Sequence, residues 1–190
     1  MRKSIVGILI AVILISSFLA IYLGVIQKPK EVPPIKVFRL TSPAFRNGEV
    51  IPKRYTCEGL DISPPLNWSG YPSETKSFVL IVEDPDAPGG VFTHWIAYNI
   101  PADVNELKEG LEKVEKLPSG IMQGVNDFGR IGYGGPCPPP GKPHRYVFKL
   151  YALDVVLDLK PGASKDEVLK AMGGHILAEA TLTGLYSRSG

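Results

Sequence analysis

Beyond Ile35 the chain is built of short apolar runs, rich in β-branched and aromatic residues and separated by Gly, Pro and charged clusters. Ser77–Glu83 (SFVLIVE) and His94–Ile100 (HWIAYNI) are almost continuously apolar and predict buried strands. Arg145–Leu153 (RYVFKLYAL) predicts a third, Ile35–Leu40 a weaker first strand and Ala180–Tyr186 a last one. One helix carries explicit start signals: Ser164 as N-cap, with Glu167 three residues on, ahead of Val168–Met172. Gly173 and Gly174 end or interrupt it, and His175–Glu179 is a candidate continuation. Residues 103–117 are highly charged and predict a short surface helix or a loop. The pattern as a whole predicts a mainly β (α+β) domain of two packed sheets with a few peripheral helices.

The N-terminus follows a different rule. Residues 1–4 form a basic flank with Arg2 and Lys3, and residues 5–26 carry no charge at all. That run exceeds the about 20 residues a helix needs to cross a bilayer. It is longer than the about 7–15 apolar residues of a secretory signal, and Leu19-Ala20-Ile21-Tyr22 makes a poor cleavage site. The expectation is a membrane anchor with the domain outside the cytoplasm, the alternative being a signal segment that is cleaved to release a secreted domain. Residues 27–35 (QKPKEVPPI) read as a stiff Pro/Lys-rich linker, and residues 36–190 as a single domain.

Composition narrows the class. Twenty glycines and 18 prolines among 190 residues mark a turn-rich domain, short of the roughly 25–30% expected of a disordered chain. A net charge of +2, from 21 basic and 19 acidic residues, gives no case for a nucleic-acid partner, which calls for a concentrated basic face. The two cysteines, Cys57 and Cys137, have no C-x-x-C spacing, which disfavours zinc-ribbon and thioredoxin-type sites. In an exported domain they are either a disulfide or two separate buried thiols.

Three segments combine chemistry with backbone stiffness. Asp84-Pro85-Asp86-Ala87-Pro88 follows the second predicted strand, His94 opens the next, and GGPCPPPGKPHRY (134–146) is a rigid loop that delivers His144, Arg145 and Tyr146 onto a strand. If these ends meet, they enclose a pocket of carboxylate, imidazole, phenol and backbone N–H groups. Each residue also has a purely structural alternative. Asp84 and Asp86 are well suited to bond their own turn, His94 and His144 to sit hydrogen-bonded in a core, and Arg145 to pair with Asp86.

Together with Tyr55-Thr56-Cys57-Glu58-Gly59, Ser63–Trp68 (SPPLNW), Asn126-Asp127-Phe128-Gly129 and the LAEATLTGLY ending, these motifs give residues 37–188 a clear resemblance. They are similar to the phosphatidylethanolamine-binding protein family, in its bacterial and archaeal Raf-kinase-inhibitor-like branch. The resemblance implies a Greek-key antiparallel β-sandwich with a small preformed anion pocket for phosphate or phospholipid head groups of the phosphoethanolamine kind. It implies that Asp84, His94, Gly135, Pro136, His144 and Tyr146 bind the ligand, and that Asp86 and Arg145 support the loops. No cofactor, metal or catalytic residue is implied.

Three classes of function compete. The leading one is a non-catalytic binding module, tethered to a membrane and open to a role as inhibitor or regulator of a protein partner, a protease or a kinase. Family members are linked to kinase and protease inhibition, and an extracytoplasmic protease inhibitor working through surface loops is the first alternative. A metal-dependent hydrolase using Asp84, His94 and His144 is the second, weakened by the lack of an H-E-x-x-H or comparable ligand pair. A serine hydrolase is weaker still, since no G-x-S-x-G occurs.

Overall fold

The structure, a computed structural model, describes residues 38–188. The predicted anchor at 5–26, the linker at 27–35 and the first residues of the predicted first strand lie outside them. Eight strands form two antiparallel sheets. The small sheet is β1 (Arg39–Thr41), β2 (Leu66–Ser69) and β5 (Glu106–Leu107), in that order. The large one holds β3 (Ser77–Asp84), β4 (Phe92–Pro101), β6 (Met122–Gln123), β7 (His144–Leu153) and β8 (Ile176–Tyr186), in the order β6-β4-β3-β7-β8. With β7 returning to lie beside β3, the sheet has the Greek-key arrangement.

The continuous apolar runs of β3 and β4 have a direct cause: both faces of the large sheet are covered. Phe78, Leu80, Val82, Trp95, Tyr146, Phe148 and Leu150 point to one side and pack with Leu40, Leu66, Trp68 and Leu107 of the small sheet. Val79, Ile81, Ile96 and Tyr98 point to the other, beneath Leu157, Ala163, Val168 and Met172. The last two belong to α1 (Lys165–Met172), which buries these side chains four residues apart on one face. Its capping box is formed as the sequence predicts, with Ser164 accepting from Glu167 N and the Glu167 carboxylate accepting from Ser164 N.

One local expectation is corrected, and one pair of alternatives is resolved in favour of the loop. His175–Glu179 does not extend the helix. Gly174, at φ 82°, turns the chain, and β8 begins at Ile176, with Ala178, Ala180 and Leu182 inward at every second position. Residues 103–117 form no helix, because their backbone is laced to β2 and its approach instead of to itself. Asn105 O accepts from Trp68 N, Gly110 N donates to Ser63 O and Leu111 N donates to Ser63 Oγ. A 3-10 turn at Lys53–Tyr55 leads to Cys57, which is disulfide-bonded to Cys137 with 5.4 Å between the Cα atoms. Among the described residues no helix is long and apolar enough to cross a membrane.

Candidate functional site

Strand register brings the candidate residues to one end of the large sheet. β3 is antiparallel to both its neighbours, so its C-terminal end meets the first residues of β4 and β7. Asp84 lies opposite Phe92, and Glu83 lies opposite both Thr93 and Val147. Strand alternation puts Asp84 on the same face as Val82, and Tyr146 on the same face as Phe148, toward the small sheet. His94 would point away from them in a regular strand. It does not, because the ladder carries a bulge here. Val82 pairs with Trp95 but Glu83 pairs with Thr93, leaving His94 as an extra residue. Its ring comes edge-on to Tyr146, with centroids 5.1 Å apart.

The result is a cavity of about 160 Å³ walled by Asp84, His94, His144, Tyr146, Phe92 and Phe128, with Pro88, Pro138 and Pro139 at its rim. Asp84 is 3% exposed and uses both oxygens: Oδ1 accepts from Asp86 N at 2.8 Å, and Oδ2 accepts from His144 Nδ1 at 2.7 Å. The purely structural alternative for Asp84, a turn-closing side chain, is thus one half of what it does. His94 Nδ1 donates to Gly134 O at 2.7 Å. Burial holds its pKa below the usual value despite that bond and the Asp84 charge, so the neutral ring presents Nε2 as an acceptor. The Tyr146 hydroxyl is buried close to the Asp84 carboxylate and the Cys137 N–H, without a well-formed hydrogen bond to either. Burial first, and the Asp84 charge second, push its pKa far up, so it remains a neutral O–H donor.

Asp86 and Arg145 stand outside the pocket as a brace. Arg145 Nε and Nη2 bond Asp86 Oδ2 and Oδ1 at 2.9 and 2.7 Å, and Arg145 N also reaches Asp86 Oδ2 at 2.9 Å. These bonds hold the Asp86 pKa at about 2. Gly135 and Pro136 do not line the cavity. A Cβ on Gly135 would sit 2.5 Å from Tyr55 O, its N–H donates to Asp61 Oδ1 at 2.6 Å, and Pro136 O accepts from Cys57 N at 3.1 Å. Both hold the loop to the 53–61 segment.

The sequence reading missed the aromatic wall. Phe92 and Phe128 flank His94 with ring centroids 5.2 and 5.3 Å away. Phe128 is positioned by Asn126, whose buried amide accepts from Phe128 N and Arg130 N and donates to Gly132 O. Gly134 seats the ring, since a Cβ there would lie 2.6 Å from it. The signal was present in the NDFG motif, but an exposed Phe in a loop says nothing of its partners without the fold.

Chemically the cavity offers two imidazoles, a phenol and a carboxylate, with no hydroxyl nucleophile or free thiol among its lining residues. Among the described residues no group of three or more His, Cys, Asp or Glu is arranged to hold a metal ion. Asp84 is engaged by His144 and its own turn, while His94 Nδ1 is turned to a carbonyl.

Comparison with known proteins agrees with the fold. The family profile described as phosphatidylethanolamine-binding protein matches residues 41–187. A UPF0098 protein of Methanothermobacter thermautotrophicus is 58% identical over 149 residues, which are 78% of this chain and 98% of that relative. A UPF0098 protein of Pyrococcus horikoshii is 52% identical over 189 residues, 98% of this chain and 90% of its own length. Among crystal structures, a phosphatidylethanolamine-binding protein homologue from Chlamydia trachomatis superimposes with a TM-score of 0.74 at 48% identity, covering 80% of this chain and 99% of its own. YbcL of Escherichia coli, described as a member of the mammalian family, does so with a TM-score of 0.75 at 40% identity, covering 81% and 100%. Two of these proteins consist almost wholly of the part that matches here, so in those relatives the fold is complete without a segment such as residues 1–35. With its sandwich, its sheet-end pocket and these relatives, the chain belongs to the phosphatidylethanolamine-binding protein family.

Proposed function

We propose that the domain is a non-catalytic binding module whose pocket takes a phosphate group, free or at the head of a phospholipid of the phosphoethanolamine kind. The observation that carries this reading is the Tyr146 hydroxyl, a buried donor that the protein's own groups leave without a hydrogen-bonding partner. Buried polar groups are nearly always paired, and a donor left open beside two imidazoles fits an anionic oxygen. His144 is oriented by the bond from its Nδ1 to Asp84, which leaves Nε2 as its free ring nitrogen on the pocket side. His94 joins them only by taking up a proton with the anion, or by accepting a proton that the phosphate brings. Asp84 therefore orients its neighbours; it is not itself a ligand for the phosphate.

The placement proposed is extracytoplasmic, tethered by residues 5–26. It is supported by the uncharged run and by the Cys57–Cys137 disulfide, a bond that persists mainly in oxidising compartments. Carbonate washing of membranes tests the tether: the chain stays in the pellet if the segment anchors it and is released if it has been cleaved.

Calorimetric titration of EDTA-treated residues 36–190 with O-phosphoethanolamine tests the pocket, with Asp84→Asn in parallel. Asparagine keeps an acceptor for Asp86 N and removes the charge facing His144. Saturable binding, on the order of millimolar for so small a ligand and weaker in the variant, is the expected result. Folded wild type that binds nothing refutes it.

A further inference from the structure

The phosphate pocket has a neighbour. A second cavity of about 190 Å³ is lined by Cys57, Asp61, Lys113, Phe128, Arg130 and Tyr133, among others. The two cavities share Phe128 and Cys137 as walls. Neither alone reaches the roughly 300 Å³ at which pockets for small organic ligands begin, but the two joined do.

This second cavity is built from fixed parts. Asp61 sits in the left-handed region at φ 54°, with Oδ1 bonded to Gly135 N at 2.6 Å and Oδ2 to Lys113 Nζ at 2.7 Å. Tyr133 is buried and its hydroxyl donates to Tyr55 O at 2.8 Å. The disulfide closes the wall toward the phosphate pocket. Arg130 is different. Asn126 Oδ1 fixes its backbone N–H at 3.2 Å, yet its guanidinium makes no hydrogen bond or ion pair among the described residues. Among the lining residues Lys113 and Asp61 cancel, so Arg130 leaves the wall of this cavity with an unmatched positive charge; the Asp127 carboxylate, which accepts from Thr93 N at 2.6 Å, is not part of that wall.

We propose that the two cavities form one bipartite site for an organic phosphate carrying a second acidic group. The phosphate lies between Tyr146, His144 and His94, the carbon skeleton crosses Phe128 and the disulfide, and the second acid, a carboxylate or another phosphate, meets Arg130. This rests on the phosphate reading above and narrows it.

The test compares two probes that differ at one end, 3-phosphoglycerate and glycerol 3-phosphate, titrated into residues 36–190 at fixed ionic strength. The carboxylate should give 3-phosphoglycerate a roughly two- to fivefold tighter affinity, the scale of one partly exposed ion pair. Arg130→Gln should erase that preference without changing affinity for glycerol 3-phosphate, and Arg130→Lys should restore most of it. Arg46→Gln, which removes an exposed cation outside both cavities, should leave the preference in place. Equal affinities for the two probes in the wild type, or a preference that survives Arg130→Gln, overturn the bipartite site and leave the phosphate pocket standing. No binding of either probe removes the phosphate pocket and this inference with it.

Discussion

Replacing Tyr146 with Phe separates a binding residue from a structural one. The substitution removes a single oxygen from the cavity wall and keeps the ring, with its edge-on contact to His94 at 5.1 Å. Because no protein group bonds that hydroxyl, the unliganded fold loses no hydrogen bond. Stability should stay within about 0.5 kcal/mol of the wild type or rise by up to about 1 kcal/mol, since a buried hydroxyl without a partner is itself a cost. For a domain of this size that is a melting shift between roughly −2 and +4 °C. Ligand binding should respond quite differently. A hydroxyl donating to a phosphate oxygen is a charge-assisted bond of about 1.5–3 kcal/mol, so affinity for O-phosphoethanolamine should fall by roughly ten- to a hundredfold. Thermal unfolding without ligand and calorimetric titration with it measure the two arms. A variant destabilised by more than about 2 kcal/mol with unchanged affinity would show the hydroxyl to be structural, and the reasoning for the pocket would fail. Asp84→Ala, an attractive probe from the sequence alone, is less clean. It strips Asp86 N and His144 Nδ1 of their acceptor and should lower stability along with binding.

Other outcomes follow from the same geometry. Cys57→Ser with Cys137→Ser opens a loop of 80 residues, for which chain entropy alone corresponds to about 4.5 kcal/mol, so the melting temperature should drop by roughly 10 °C or more; a shift under about 2 °C would mean that the bond constrains little. His94 is held below its usual pKa by burial, so the unfolded chain binds its proton more readily. Stability should therefore fall as pH drops below about 6.5, at no more than about 1.4 kcal/mol per unit until the folded ring also protonates. Urea unfolding at pH 7 and pH 5 should show that loss shrinking in His94→Gln, and an equal loss in both proteins would contradict the assignment. Phosphate binding at pH 7.5 should also take up as much as one proton, read from calorimetry in two buffers of different protonation enthalpy. Zero uptake would mean that no proton enters the pocket from solvent with the anion.

How far the sequence disclosed this molecule depended on the kind of signal. Strands whose residues are apolar throughout, such as β3 and β4, were legible as buried, and the Ser164–Glu167 pair announced its helix in full. Motif spacing delivered Asp84, His94, His144 and Tyr146 to one cavity, because each begins or ends a strand of the large sheet. Gly135 and Pro136 were harder to place, for an equally physical reason: neither walls the cavity around Tyr146, and Gly135 borders the one beside it. A glycine required for close backbone approach and a glycine that opens a binding surface look alike in one dimension, and only Tyr55 O at 2.5 Å from the absent Cβ distinguishes them. The aromatic wall, and the bulge that turns His94 inward, depend on pairings between segments far apart in the chain. An uninterrupted apolar run such as HWIAYNI carries no alternation from which a change of frame could be read.

That bulge has an evolutionary consequence. Because Val82 faces Trp95 and Glu83 faces Thr93, the ladder on either side of His94 is in register as though the histidine were not there. A lineage that lost this one codon would retain a continuous strand with the same cross-strand partners and the same buried Trp95. The scaffold and its recognition chemistry are thus separable at a single position, and the sandwich could survive while what it binds is lost or replaced.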